Sequence, residues 1–527
     1  MIRIITSLVA VLTVTSIQSQ TTLRDTPKLV IGITIDQLRA DYLELFQHTF
    51  SERGFKRLLN EGLVYQNMVF DFPNLNEASS IATLYTGTNP SHHGIIYSKR
   101  FLPDKNSEVS IFEDNAFLGN YTKEKLSPAA LRVGTITDEL KIASKGRSDI
   151  YSFAPNSFQA LISAGHAANG AYWIEDYSGK WATSTYFKDF DWSVEQENRS
   201  NIYPNRINTL VWQPLLGTDK YNLFPYGSDA VSFSNKLISS DNSFHLFKES
   251  PFVNENITKT AIALMQKADM GKRSRPDFLA LTYYAGNFSA STDGEYSFEI
   301  QDTYARLDRE ISTLLDQVEK TVGLQNTLIY ITSTGYYSSN VISTDNIQSS
   351  AGIFYTNRCE ALLNMYLMAI YGKEQWVEKY HNQQIYLNRK LIESKNISLE
   401  EIQNKAAEFV VQFTGVQDAT TSIRLLTGKT DSNMQAYRNI LDKDISGDII
   451  IQIRPGYQIV DEQNPSTIKK IQRETAIVCP VIFFGYNIKP EKVKRTIKAT
   501  EIAPTVCRIL RIRSPNAAKD QPLPEFL

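Results

Sequence analysis

Cysteine is scarce: Cys359, Cys479 and Cys507 are the only three in 527 residues. Their wide separation excludes CxxC-type zinc or redox motifs, and an odd number leaves at least one thiol unpaired. They read as buried, small hydrophobes. Long apolar runs are missing as well. Crossing ~30 Å of hydrocarbon takes roughly 20 apolar residues, and the run Ile4 to Val14 falls short of that. Charge of one sign is lacking too. Lys and Arg number 55 against 57 Asp and Glu, for a net charge of −2. Neither sign forms a long run, which excludes the basic stripe that nucleic-acid binding needs. What is abundant is core material. With 42% hydrophobic and 21% charged residues, the composition is that of a large globular protein.

The first 20 residues have the order of a signal peptide: one cation (Arg3), the apolar run Ile4 to Val14, then small polar residues through Ser16 and Ser19. A mature chain beginning near Gln18 to Thr22 is expected, with export to the periplasm, the outer membrane or the medium. The bland alternative, a buried N-terminal strand, fits the Arg3 flank poorly. No cysteine follows the run to accept a lipid, so membrane association is expected only through partners.

Leu29 to Ile35 is a continuous β-branched apolar run ending at Asp36, as suits a parallel strand buried on both faces. Asp36 then lies at the strand's carboxyl end, where open α/β sheets bind ligands. Further strands are expected at Val64 to Phe70, Phe278 to Tyr284, Thr327 to Thr332 and Cys479 to Phe484. Helices are expected from Ala40, over EASSIATLYT before Gly87, at Phe298 to Val322 and at Ala499 to Ile512. The fold class is α/β, a doubly wound, mostly parallel sheet with helices on both faces, formed by residues 21–527. Stretches at about 167–252 and 338–475 read as inserted cap regions, because a plain crossover needs far fewer residues. The first holds Trp173, Trp181, Trp192 and Trp212, which suit a small core better than a carbohydrate or peptide groove.

The segments LVIGITIDQLRADYL, GFKRLLNEG, ATLYTGTNPSHHGI, GAYWIEDYSGKWATSTYF, EIQDTYARLDREI and TEIAPTVCRIL run from residue 29 nearly to the C-terminus. They resemble the alkaline phosphatase superfamily, in particular the phosphate-irrepressible phosphatases of Bacteroidetes and the type I phosphodiesterase/nucleotide pyrophosphatase branch. The resemblance implies phosphate-ester hydrolysis with two zinc ions, which lower the pKa of bound oxygen nucleophiles and neutralise the leaving oxygen. Of the implied metal ligands, Asp36 is retained. The implied nucleophile, ten residues before Gly87, is Glu77, which has no hydroxyl and repels phosphate. Ser79 and Ser80 lie too far into the helix to replace it. The other ligand positions hold Tyr283, Asn287, Thr334, Gly335 and Val478. Cys479 beside Val478 is a soft donor in principle, but one thiolate and one carboxylate cannot hold two ions.

The histidines are His48, His92, His93, His166, His245 and His381, with none beyond. The resemblance gives His93 a structural place, and His92 and His166 read as turn or core residues. The implied phosphate contacts fall on Ser98, Asn156 and Phe158, without the expected lysine and arginine. The expectation is therefore a pseudoenzyme with no catalytic residue, no bound cofactor and no metal. It would serve as a binding or assembly component of the bacterial cell envelope, with a protein or glycan partner. The alternative is a metal-dependent phosphatase or phosphodiesterase with a rebuilt site, for example one metal (zinc included) on Asp36, Glu77 and His166 or His245.

Overall fold

The apolar run that begins at Leu29 forms strand β1 (Leu29–Asp36), buried along its whole length. The computed structural model describes residues 26–527 except 103–106, 189, 201–206, 208, 223–232, 292–296, 338–351, 429–431, 464–469 and 472–476. The expected leader lies outside the described residues. Strand β1 is flanked on each side by a parallel partner, β7 (Asp277–Tyr284) and β8 (Thr327–Ser333). The remaining strands of this sheet are β2 (Leu63–Val69), β3 (Gly119–Asn120), β4 (Ile150–Ala154), β5 (Gly170–Ile174), β6 (Trp181–Ser184), β9 (Cys479–Gly485) and β10 (Glu491–Lys498). Ten strands stand in the order β10-β2-β9-β8-β1-β7-β4-β5-β6-β3.

Five of the nine neighbouring pairs are parallel, while β9 runs antiparallel to both β8 and β2, and β6 to both β5 and β3. Residues 170–184, expected at the start of the first insertion, instead supply β5 and β6 of the main sheet. Both strands are buried throughout, so their apolar residues complete the sheet and do not form a separate cap.

Alternate residues of β1 serve two apolar layers. Ile31, Ile33 and Ile35 pack on one face with α5 (Pro251–Lys267) and α6 (Phe298–Thr321), while Val30 joins α3 (Glu77–Thr86) and α7 (Ile502–Leu510) on the other. This two-sided burial is why β1 lacks polar alternation. Gly32 is needed where it stands, since a Cβ there would lie 2.5 Å from the Tyr330 hydroxyl. The Asn76 side chain caps α3 by accepting from Ser79 N, and Gly87 closes it with φ +69°.

The described part of the stretch expected as a second insertion forms a three-stranded and a four-stranded sheet between Gly352 and Ile471. It has its own apolar core around Trp376, Leu363 and Ile402. Among the described residues no helix is long and apolar enough to cross a membrane. Of the tryptophans in the first stretch, Trp173, Trp181 and Trp212 are buried and Trp192 is 60% exposed, so the first three are core residues.

Residues 211–221 are tied to the sheet by one carboxylate. Asp302 on α6, fully buried, accepts from Trp212 Nε1 (2.6 Å), Leu215 N (2.7 Å), Tyr221 Oη (2.6 Å) and Arg306 Nε (2.7 Å). Removing it takes the ion pair from Arg306, which keeps Gln213 O, and leaves three further donors without their acceptor. Asp302→Ala should cost about 3 to 5 kcal/mol of stability, measured by denaturant unfolding. A loss below about 1 kcal/mol, the scale of an exposed pair, would contradict this role.

Candidate functional site

Parallel strands end together, so β1, β7 and β8 deliver Asp36, the turn after Tyr284 and the segment from Thr334 to one place. Asp36 is 2% exposed. Its Oδ1 accepts from the Thr334 hydroxyl at 2.8 Å, and that hydroxyl oxygen in turn accepts from Gln37 N at 3.2 Å. Burial raises the Asp36 carboxyl well above the usual range, and the charge of Glu77 adds to this; bonds from Thr334 and Gln37 only partly oppose it. Glu77 is the first residue of α3, where a carboxylate is favoured. Ser79 Oγ donates back to Asn76 O (3.2 Å), and Ser80 is buried.

The other implied ligand positions are filled in ways that close the site. Asn287 Oδ1 accepts from the Tyr337 hydroxyl at 2.9 Å, and its carbonyl accepts from the Tyr284 hydroxyl at 2.6 Å. Tyr337 also lies against the Arg39 guanidinium, 4.9 Å from the ring centre, with Tyr42 at 4.1 Å. Gly335 has φ +66°, and a Cβ there would meet Phe70 at 2.8 Å and Cys479 Sγ at 3.2 Å. Val478 is 48% exposed, and it is its carbonyl that is used, accepting from Ala40 N at 3.1 Å. The Cys479 thiol faces Ile477 O at 3.2 Å, and burial pushes it up to about 12.

Tyr283 does not join this group. It belongs to the apolar layer with Ile35, and its hydroxyl lies 2.9 Å from Thr258 Oγ1 on α5. The residue that does join is its neighbour Tyr284. Burial, then the charges of Glu249, Asp36 and Glu77, raise its phenol well above the usual value. Among the described residues no three His, Cys, Asp or Glu side chains converge as a metal ion requires. The two zinc ions implied by the resemblance need several carboxylates and imidazoles, and this donor set does not fit them.

A model of the type I phosphodiesterase/nucleotide pyrophosphatase family matches residues 30–476. The chain belongs to that family. Alkaline phosphatase PafA of Elizabethkingia meningoseptica is 26% identical over 525 residues, covering 95% of this chain and 94% of that one. Alkaline phosphatase PhoV of Synechococcus elongatus is 26% identical over 536 residues, covering 95% and 93%. A Myroides odoratus protein named as a calcium-transporting ATPase is 28% identical over 526 residues, covering 95% of each. The crystal structure of PafA superposes with a TM-score of 0.83 at 25% identity, covering 95% of this chain and 99% of that one. Within the alkaline phosphatase superfamily this is the PafA-like branch, with the α/β sheet expected.

In this family member the positions implied for phosphate contacts are Ser98, Asn156 and Phe158. Ser98 O accepts from Ile111 N. Asn156 precedes helix α4 (Ser157–Ala164), its N–H donating to Gln159 Oε1 at 3.1 Å, and Phe158 packs on the core. A cation that sequence spacing did not reveal reaches Asn156. Lys248 Nζ donates to Asn156 Oδ1 at 3.3 Å and is paired with Asp176.

The histidines of the rebuilt-site alternative are occupied elsewhere. His166 Nδ1 lies 2.9 Å from Asp138 Oδ2 and its Nε2 2.9 Å from Leu131 O. His245 lies 3.2 Å from Glu249. His93 is buried between Thr83 Oγ1 and Ile95 N, and burial lowers it to about 3. His92 lies 3.0 Å from Lys519 Nζ, and His48 3.0 Å from Lys220 O.

The raised Asp36 carboxyl sets a pH dependence. The folded chain keeps a proton there that the unfolded chain has released, so this contribution is full below the ordinary carboxylate pKa and is lost as pH rises toward the folded value. Asp36→Asn removes the titration. Compared with the parent, the variant should gain relative stability between about pH 5 and about pH 8 in denaturant unfolding. An identical difference at both pH values would contradict the raised carboxyl.

Proposed function

We propose that this chain is a non-catalytic member of the alkaline phosphatase superfamily, a binding or assembly component of the bacterial cell envelope. The observation that carries the reading is the Thr334 hydroxyl on Asp36. An oxygen that would be a metal ligand accepts a hydrogen bond from the residue standing where a ligand is implied. Glu77 supplies no hydroxyl for a covalent phosphoryl intermediate, and among the described residues Arg39, after β1, is paired with Asp41 and Lys248, beside Asn156, with Asp176. The envelope assignment is supported by the leader pattern of residues 1–20 and proposes a protein or glycan partner.

A second reading has one observation in its favour: the relatives PafA and PhoV carry the name alkaline phosphatase. Under it, the chain is a phosphoric ester hydrolase with a rebuilt metal site.

Glu77→Thr separates the two. If the glutamate alone silenced a competent enzyme, the threonine should restore hydrolysis of aryl phosphate mono- and diesters with zinc added. The expected outcome is no turnover above a Glu77→Ala control. Among the described residues no metal-binding cluster stands beside the new hydroxyl to lower its pKa, and such a cluster is the usual source of the charge stabilisation that is the largest catalytic contribution. Turnover clearly above the control would overturn the non-catalytic reading.

A further inference from the structure

The helix Ile136–Ala143 opens with a capping box: Thr135 Oγ1 accepts from Asp138 N at 3.1 Å, and Asp138 Oδ2 accepts from Thr135 N at 3.0 Å. The Asp138 carboxylate also fastens the turn that follows α4. Its Oδ1 accepts from His166 N at 2.7 Å and Ala167 N at 3.1 Å, and its Oδ2 lies 2.9 Å from His166 Nδ1. Gly165 places the ring there, closing α4 at φ +71° where a Cβ would meet Thr137 Oγ1 at 2.7 Å. The second ring nitrogen, Nε2, lies 2.9 Å from Leu131 O. An ionised carboxylate and a backbone carbonyl can only accept, and a neutral imidazole has a single N–H to give. Two donated bonds make His166 an imidazolium in this fold.

The surroundings agree with that charge. The bond to Asp138 raises the His166 ring above its ordinary value; partial burial opposes this, and the charge of Asp138 and the bond to Leu131 O add to it. Burial alone would raise the Asp138 carboxyl, but the bond and charge of His166, with the bonds from Thr135, hold it below the usual range. The other titratable groups here are Tyr186, whose hydroxyl donates to His166 O at 2.8 Å, Asp114 beyond it, and Glu139 beside Asp138, with the charge of Arg513 acting on Glu139. Leu131 leads directly to a longer-range contact. Its neighbour Arg132 donates its N–H to His93 O at 3.1 Å and pairs its guanidinium with the buried Asp442 of the second inserted region.

We propose that His166 is a pH-sensitive clasp: its protonated ring pins the segment Leu131–Arg132 to the helix Ile136–Ala143, and loss of the proton to solvent frees that segment and loosens the hold of Arg132 on the second region. The neutral ring keeps one N–H and must give up either Asp138 or Leu131 O. Because the folded ring holds its proton more tightly than the unfolded one, this contribution is full below the ordinary histidine value and is lost as pH rises through the folded value. The test is hydrogen exchange of the full chain, read by mass spectrometry at about pH 5.5 and about pH 9 and corrected for intrinsic rates. Protection of peptides spanning 131–135 and 165–167 should fall by roughly tenfold or more at the higher pH, the scale of one hydrogen bond to a charged group, while α6 keeps its protection. His166→Gln, which cannot titrate, should remove the step. Asp138→Asn keeps an acceptor without the charge and should move the step to lower pH, which decides the matter if the first variant does not fold. Equal protection of these peptides at both pH values, a loss shared equally by α6, or a step unchanged in the variants would overturn the proposal.

Discussion

The carboxyl ends of β1, β7 and β8 converge on one buried carboxylate, and the rest of the site is arranged around how Asp36 is satisfied. A carboxylate taken out of water without partners is costly, and it raises its pKa or acquires donors. Here both occur. Thr334 donates from the end of β8 and Gln37 folds over the same group, its backbone at φ +62°. Once Thr334 is committed to Asp36, the next residue must turn sharply. Gly335 does so in the left-handed region, packed so tightly on Phe70 and Cys479 that no side chain fits. Tyr337 is then positioned to donate to Asn287 after β7 and to lie against Arg39 after β1. Three strand ends are joined by hydroxyl donors and one cation–π contact.

Much of the sheet is legible in the sequence because its central strands are buried on both faces. Unbroken apolar runs such as LVIGITI leave little choice but a central strand, and Gly87 ends α3 as its position suggests. Strand direction is not written in such runs. CPVIFF reads as core, yet nothing in it says that β9 runs against its neighbours. The short strands β5 and β6 were hidden for a related reason, since their tryptophans are equally at home in a cap or a sheet.

The site was legible where identity alone decides and illegible where direction does. Glu77 and Gly335 are missing a hydroxyl and a side chain, whatever their geometry. Tyr283 and Tyr284 are adjacent and chemically identical, and only the alternation of β7 sends the first toward Thr258 and the second toward Asn287. Lys248 reaches Asn156 from 92 positions away, and the four bonds to Asp302 likewise join distant segments, for which local spacing holds no signal.

The central claim is that hydrogen bonds, and not metal ions, hold these strand ends together. Elemental analysis of the purified full chain, paired with thermal unfolding in the presence and absence of a strong chelator, tests it most directly, because a metal that binds only the folded state raises its stability. The account predicts zinc far below one ion per chain and the same unfolding midpoint with chelator as without. Stoichiometric zinc together with a midpoint that falls by many degrees on chelation would contradict it.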